Sequence, residues 1–233
     1  MARGRQLSQL LDQLQAESGM SLLPASSTSS RDHRVQLLNR VQARFYAAYD
    51  WDFAFIKRDV AMTLGTRFAA LPADIDFDRV NSTAISQGTA SDDWRPLDYG
   101  ITEREYSQTG EGVQGSPQRW APSEGGNFEL WPVPDGAYRM RFRGLKVLPL
   151  MVNNADRAVL DDTLIVLYAA SELMKRQKLP DWEDKQREAQ MHFTRLRSFS
   201  GGNKRGSIVM GGGITGLIGD AQPRPVRGLD YMT

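Results

Sequence analysis

The chain has no cysteine in its 233 residues, which excludes disulfides, thiolate nucleophiles and cysteine-ligated metals together. Histidine is almost as scarce. His33 and His192 are the only two, neither has a second histidine or a carboxylate at a recognised ligand spacing, and both read as surface residues. An excess of one charge is also missing: 29 basic against 28 acidic residues leave +1, so any attraction to nucleic acid or to an anionic membrane must be local. No window approaches the roughly 18 to 20 apolar residues of a membrane span. The N-terminus "MARGRQLSQLLDQLQAES" has basic residues but no continuous apolar stretch. These absences predict a soluble protein that is neither secreted nor membrane-bound, with one compact core or two small ones.

What is present begins with helical spacing. Leu7, Leu10, Leu11 and Leu14 make one apolar stripe, so a short amphipathic helix is expected there, followed by the linker-like "ESGMSLLPASSTSS". Ser30 reads as a cap for "RDHRVQLLNRVQARFYAAY", where Val35, Leu38, Val41, Phe45 and Ala48 share a face. Two further helices are expected near the C-terminal end. One runs through "VLDDTLIVLYAASELMKRQ", from Val159 and Leu160 onward; the other is "PDWEDKQREAQMHFTRLRSF", opened by Pro180 and Asp181. The short "KLPD" joint predicts that they are antiparallel neighbours.

Between the helices the pattern changes to strands and turns. "WDFAFIKRDVAMTL" and "TRFAALPADI", separated at Gly65, predict a pair of antiparallel strands. "DRVNSTAIS" and "DDWRPLDYGIT" continue the rhythm, "ITEREYSQ" offers one or two helical turns, and "QRWA" is the one strand expected in the Gly- and Pro-rich run from Thr109 to Gly126. "NFELWPVPDGAYRMRFRG" then reads as two strands folded back over a proline corner. Tyr138, Met140 and Phe142 alternate with Arg139, Arg141 and Arg143, so one face is apolar and the other basic.

Several chemical readings fail on context. Gly211, Gly213 and Gly216 fit G-x-G-x-x-G, but the chain ends before the helix, second strand and acid of a dinucleotide site could follow. Asp74, Asp76 and Asp78, and the pair Asp161 and Asp162, read as caps and solvating groups rather than as metal or acid–base sites. The tryptophans Trp51, Trp94, Trp120, Trp131 and Trp182 read as closing cores and interfaces. The face of Arg139, Arg141 and Arg143 reads first as a solvent face or a salt-bridge surface for another subunit, and alternatively as phosphate neutralisation in a DNA-binding module that also uses the tail. No catalytic centre and no cofactor site is expected.

The serial order of "YDWDFAFIKRDVAMTL", "FAALPADIDFDRV", "FELWPVPDGAYRMRFRG" and "VLDDTLIVLYAASELM" resembles the head-to-tail adaptor, or head completion and tail tubular, proteins of tailed bacteriophages. The likeness covers Val35 to Phe199. It implies an α+β fold, an antiparallel helical bundle with an inserted small antiparallel β-sandwich domain and an extended C-terminal tail. In this chain that divides as an N-terminal helix and linker at 1–29, the bundle at 30–50 plus 152–199, the β-domain at 51–151 and a Gly-rich tail at 200–233. It also implies a non-enzymatic virion protein at the neck, a dodecameric ring of this chain joining the portal protein to a downstream tail or nozzle protein, with genomic DNA passing through. On this reading Arg139, Arg141 and Arg143 face a neighbouring subunit or the channel, and Lys204, Arg205, Arg224 and Arg227 dock on portal or tail.

Overall fold

The computed structural model describes residues 3–19, 28–88, 93–103, 105 and 112–202. It is a mixed α+β structure. Among the described residues, four helices, α1 (Leu7–Glu17), α2 (Thr28–Ala47), α3 (Asp162–Arg176) and α4 (Trp182–Gly202), flank ten strands. These are β1 (Phe55–Met62), β2 (Phe68–Ala70), β3 (Ile75–Gln87), β4 (Arg95–Pro96), β5 (Asp98–Tyr99), β6 (Gln114–Gly115), β7 (Arg119–Pro122), β8 (Asn127–Trp131), β9 (Val133–Pro134) and β10 (Tyr138–Lys146).

The leucine stripe of α1 behaves as its spacing predicts: Leu7, Leu10 and Leu14 are fully buried against the other helices. Helix α2 begins at Thr28, so Ser30 lies inside its first turn rather than capping it, and Ala48 falls beyond its end. Its polar residues act as hooks. Asn39 exchanges two hydrogen bonds with the backbone of Met151, and the buried Gln42 accepts from Val159 N at 2.9 Å, so the segment leading into α3 is pinned to α2.

Helix α3 starts later than its apolar pattern suggests. Val159 and Leu160 precede it, because the Asp161 carboxylate accepts from Leu164 N at 3.2 Å and ends the extended segment there. The helix is buried on nearly all sides, since α1, α2 and α4 all pack on it. The joint to α4 turns through Lys178 (φ 55°) and Asp181 (φ 68°). Lys175 near the end of α3 lies 4.4 Å over the Trp182 ring at the start of α4, while Asp161 at the start of α3 meets His192 far along α4. The two helices are therefore antiparallel, as the short joint predicts. Helix α4 runs through Gly202, past the expected start of the tail.

The strands depart from expectation in their partners. One sheet has the order β1-β10-β3-β4 and another β2-β8-β7-β5, with β6 and β9 pairing separately. The strands from "WDFAFIKRDVAMTL" and "TRFAALPADI" do not pair with each other: β1 pairs with β10 and β2 with β8. "NFELW" and "AYRMRFRG" likewise form no hairpin, because β8 and β10 belong to different sheets. Both connections cross from sheet to sheet, the first at Gly65 (φ 76°) and the second at 132–137, and they are tied together by Gly65 N donating to Pro134 O at 2.9 Å. The strand expected at "QRWA" is β7. "ITEREYSQ" lies mostly outside the described residues.

One apolar cluster draws on both larger sheets, with Met62, Ile85, Met140 and Phe142 from one and Ala69, Trp120, Phe128 and Leu130 from the other. A second cluster holds the helices together and includes Trp51 and Leu145. Arg79 of β3 joins the two regions. Its guanidinium donates to Tyr46 O at 2.9 Å, Tyr49 O at 2.8 Å and Asp50 Oδ1 at 2.7 Å, so a cation sits at the C-terminal end of α2 where carbonyls lack helical partners.

The N-terminal strap gives a pH-dependent contact. Arg5 N donates to the buried Asp162 carboxylate at 3.3 Å, and burial holds that carboxyl above its ordinary range. A raised folded-state value means that the stability is present at low pH and is lost as pH rises through it. Asp162→Asn should therefore gain stability relative to the parent on going from about pH 4 to pH 7, read as a flatter plot of Tm against pH; parallel plots would refute this.

Candidate interaction surfaces

Strand β10 presents Tyr138, Met140 and Phe142 to the core and Arg139, Arg141 and Arg143 to the opposite face, as the alternation predicts. The register with β1 then decides what each arginine meets. Arg141 lies opposite Asp59, and its Nε and Nη2 donate to the two carboxylate oxygens at 2.7 Å each. This two-point geometry is the strongest form of the pair. The same guanidinium sits 3.7 Å from the centre of the Trp94 ring, with that of Arg139 5.1 Å from the same ring.

Arg143 is different. It is exposed, lies over Phe55 at 5.4 Å, and stands opposite Lys57 in the ladder. Neither Lys57 nor Arg143 forms a close ion pair among the described residues, although the Lys57 charge also acts on the Asp59 carboxylate. Like charges directly opposite across a ladder are unfavourable, so an approaching anion is best accommodated at this end of the arginine row.

The Arg141 hydrogen bonds hold the Asp59 carboxyl below its usual range. A lowered folded-state value contributes stability above the unfolded value and loses it as pH falls through the folded one. With 30% and 34% of the side chains exposed, solvent screens much of the gain. Asp59→Asn should cost no more than about 1 kcal/mol at neutral pH, and the gap to the parent should close as pH falls below the ordinary carboxylate range, as measured by urea titrations at several pH values.

The other sequence candidates resolve into structural roles. His33 is exposed, its Nε2 accepting from Arg176 at 2.8 Å. His192 is not the free surface residue its sequence context suggests. Its side chain is only 26% exposed, and Nε2 lies 2.8 Å from Oδ1 of the buried Asp161. Folding brings together two residues that sequence spacing kept apart, and the result secures α4 to the start of α3. Asp74 pairs with Arg58, and Asp76 Oδ1 accepts from Asp78 N at 3.1 Å. Among the described residues no group of three or more His, Cys, Asp or Glu side chains is placed to hold a metal, and no helix is long and apolar enough to cross a membrane. Lys204, Arg205, Arg224, Arg227 and the glycines at 211, 213 and 216 lie outside the described residues.

Two features escaped the sequence reading. Asp59 and Trp94 engage the arginine row from positions far away in the chain, with no local signal to mark them. Arg44, Lys175 and Arg176 converge between helices, although Lys175 and Arg176 also look like ordinary cations at a helix C-terminus.

A family model described as "SU10 adaptor protein" matches residues 6–208, most of the chain. Comparison with curated proteins gives no match.

Proposed function

The chain belongs to the SU10 adaptor protein family, phage head-to-tail adaptors with a structural and not an enzymatic role, and from this we propose that it forms a ring connecting the portal to the tail around the DNA channel. The family match over residues 6–208 carries this reading. In it, 30–50 and 152–199 make an antiparallel helical bundle, 1–29 adds a helix and linker, 51–151 is an inserted β-sandwich domain and 200–233 is a tail. The shared core of the two larger sheets and the antiparallel pairing of α3 with α4 support that division.

A ring closes through a heterologous interface, so each subunit needs two different complementary faces. The surface offers candidates on different elements. Leu150 and Val152, after β10, are 70% and 64% exposed, and Met191 and Phe199 on α4 are 62% and 58% exposed. The Arg139, Arg141 and Arg143 face, with Lys57 and Arg143 as its open end, suits an acidic neighbouring subunit or the channel wall. Lys204, Arg205, Arg224 and Arg227 supply a basic terminal segment for docking on portal or tail. Because Asp59 already neutralises Arg141, this face is a weaker candidate for an independent DNA-binding module.

The test is to mix the purified full chain with portal protein and image the product by electron microscopy. The chain alone should sediment as a monomer or weak oligomer and should add a ring to the portal. A stable compact dimer that leaves the portal unchanged would overturn the proposal.

A further inference from the structure

A cleft between α2, α3 and α4, open to solvent on one side, has a volume of about 270 Å³ and is lined by Arg44, Tyr168, Glu172, Lys175, Arg176 and Trp182, among others. Its charges are unevenly matched. Glu172, the carboxylate in the lining, already accepts from Arg40 and lies 3.9 Å from Arg176 Nη2. Arg44 and Lys175 have no carboxylate partner among the described residues. Arg44 donates to the phenol oxygen of Tyr168 and lies 4.9 Å over that ring, while Lys175 Nζ lies 4.4 Å over the Trp182 ring. Aromatic faces hold both cations in position without neutralising them. A smaller cavity of about 140 Å³ between α2 and α3, lined by His33, Arg40 and Arg176 among others, shares Arg176 with this cleft.

We infer that this cleft binds an acidic peptide segment, with Arg44 and Lys175 taking carboxylates and the Trp182 ring covering the stem of an adjacent side chain. The shape favours a peptide over nucleic acid. A carboxylate on a flexible stem can enter a walled recess, whereas a phosphate backbone needs a track of free cations along its path. Among the described residues, the cleft lining offers two cations without a carboxylate partner, Arg44 and Lys175, rather than such a track. The chemistry is also that of charge-assisted hydrogen bonding, in which a guanidinium already oriented by an aromatic ring gives up little freedom on binding.

The experiment is a titration of the full chain at low salt with decaglutamate, followed by tryptophan emission, with decathymidylate as the second arm. Decaglutamate should give a saturable change that weakens as salt is added. The Lys175→Glu variant, which alters an exposed side chain, should bind about tenfold more weakly, and Arg44→Gln should also weaken binding. Trp182→Phe should abolish the signal, and circular dichroism of each variant should match the parent. The inference is overturned by an absent or non-saturable response, by unchanged binding in both charge variants, by a signal that survives Trp182→Phe, or by tighter binding of decathymidylate. Decaglutamate binding by a protein that adds no ring to the portal would retain the cleft and remove only the ring proposal.

Discussion

Replacing Phe128 with alanine should cost about 3–5 kcal/mol of unfolding free energy, the largest loss expected from a single side chain in the β region. Phe128 on β8 has no exposed surface. Its ring centre lies 5.0 Å from that of Phe77, 5.3 Å from Trp120 and 5.3 Å from Phe142, so it touches aromatic groups from both larger sheets at once. Truncation removes the transfer free energy of the ring and leaves a cavity whose walls are held by two separate ladders. Those walls cannot collapse without breaking strand pairing. Urea denaturation followed by tryptophan emission and circular dichroism would measure the loss. Phe128→Leu, which keeps most of the volume, should cost much less, and equal losses for the two variants would refute the cavity argument.

Gly144→Ala should destabilise by about 1–3 kcal/mol although it adds a single methyl group. Gly144 lies in β10 where the ladder with β3 shifts register, between Arg143 and Lys146. A Cβ at this position would stand 2.7 Å from Ile75 Cγ2, 3.1 Å from Arg79 O and 3.2 Å from Val80 Cα. The first contact is a side chain that can be trimmed; the other two are backbone. Added to Ile75→Ala, which carries its own core-truncation cost, Gly144→Ala should therefore still destabilise relative to Ile75→Ala alone, because β3 itself must move. Equal thermal melts for Ile75→Ala with and without Gly144→Ala would locate the conflict in the Ile75 side chain alone. Arg79 follows in the same strand and anchors the end of α2, so displacement of β3 should also loosen the junction with the helices.

The helices were legible because their information is local. Leucines at three- and four-residue spacing place α1, and the apolar run through Leu164 and Leu167 places α3, without reference to the rest of the chain. The two faces of β10 were legible for the same reason, since alternation fixes which side chains share a side. Strand partners were not. Proximity in sequence suggested pairing across Gly65 and across the Pro132–Gly136 corner, yet both turns carry the chain from one sheet to the other. The composition of a turn marks a change of direction and leaves open the sheet in which the next strand is accommodated.

By itself, the sequence determined that disulfide and thiolate chemistry is excluded, where the helices fall, the apolar and basic sides of β10 and, through the order of its motifs, the family. Only the tertiary structure decided what the charged groups do. Arg141 is paired with Asp59, 82 positions away, while Arg143 meets Lys57, and Arg44 and Lys175 share a cleft without a carboxylate of their own. The physical reason is that burial patterns repeat over a few residues and can be read locally, whereas the energy of a charge depends on distances to groups that only the folded register and helix packing bring near.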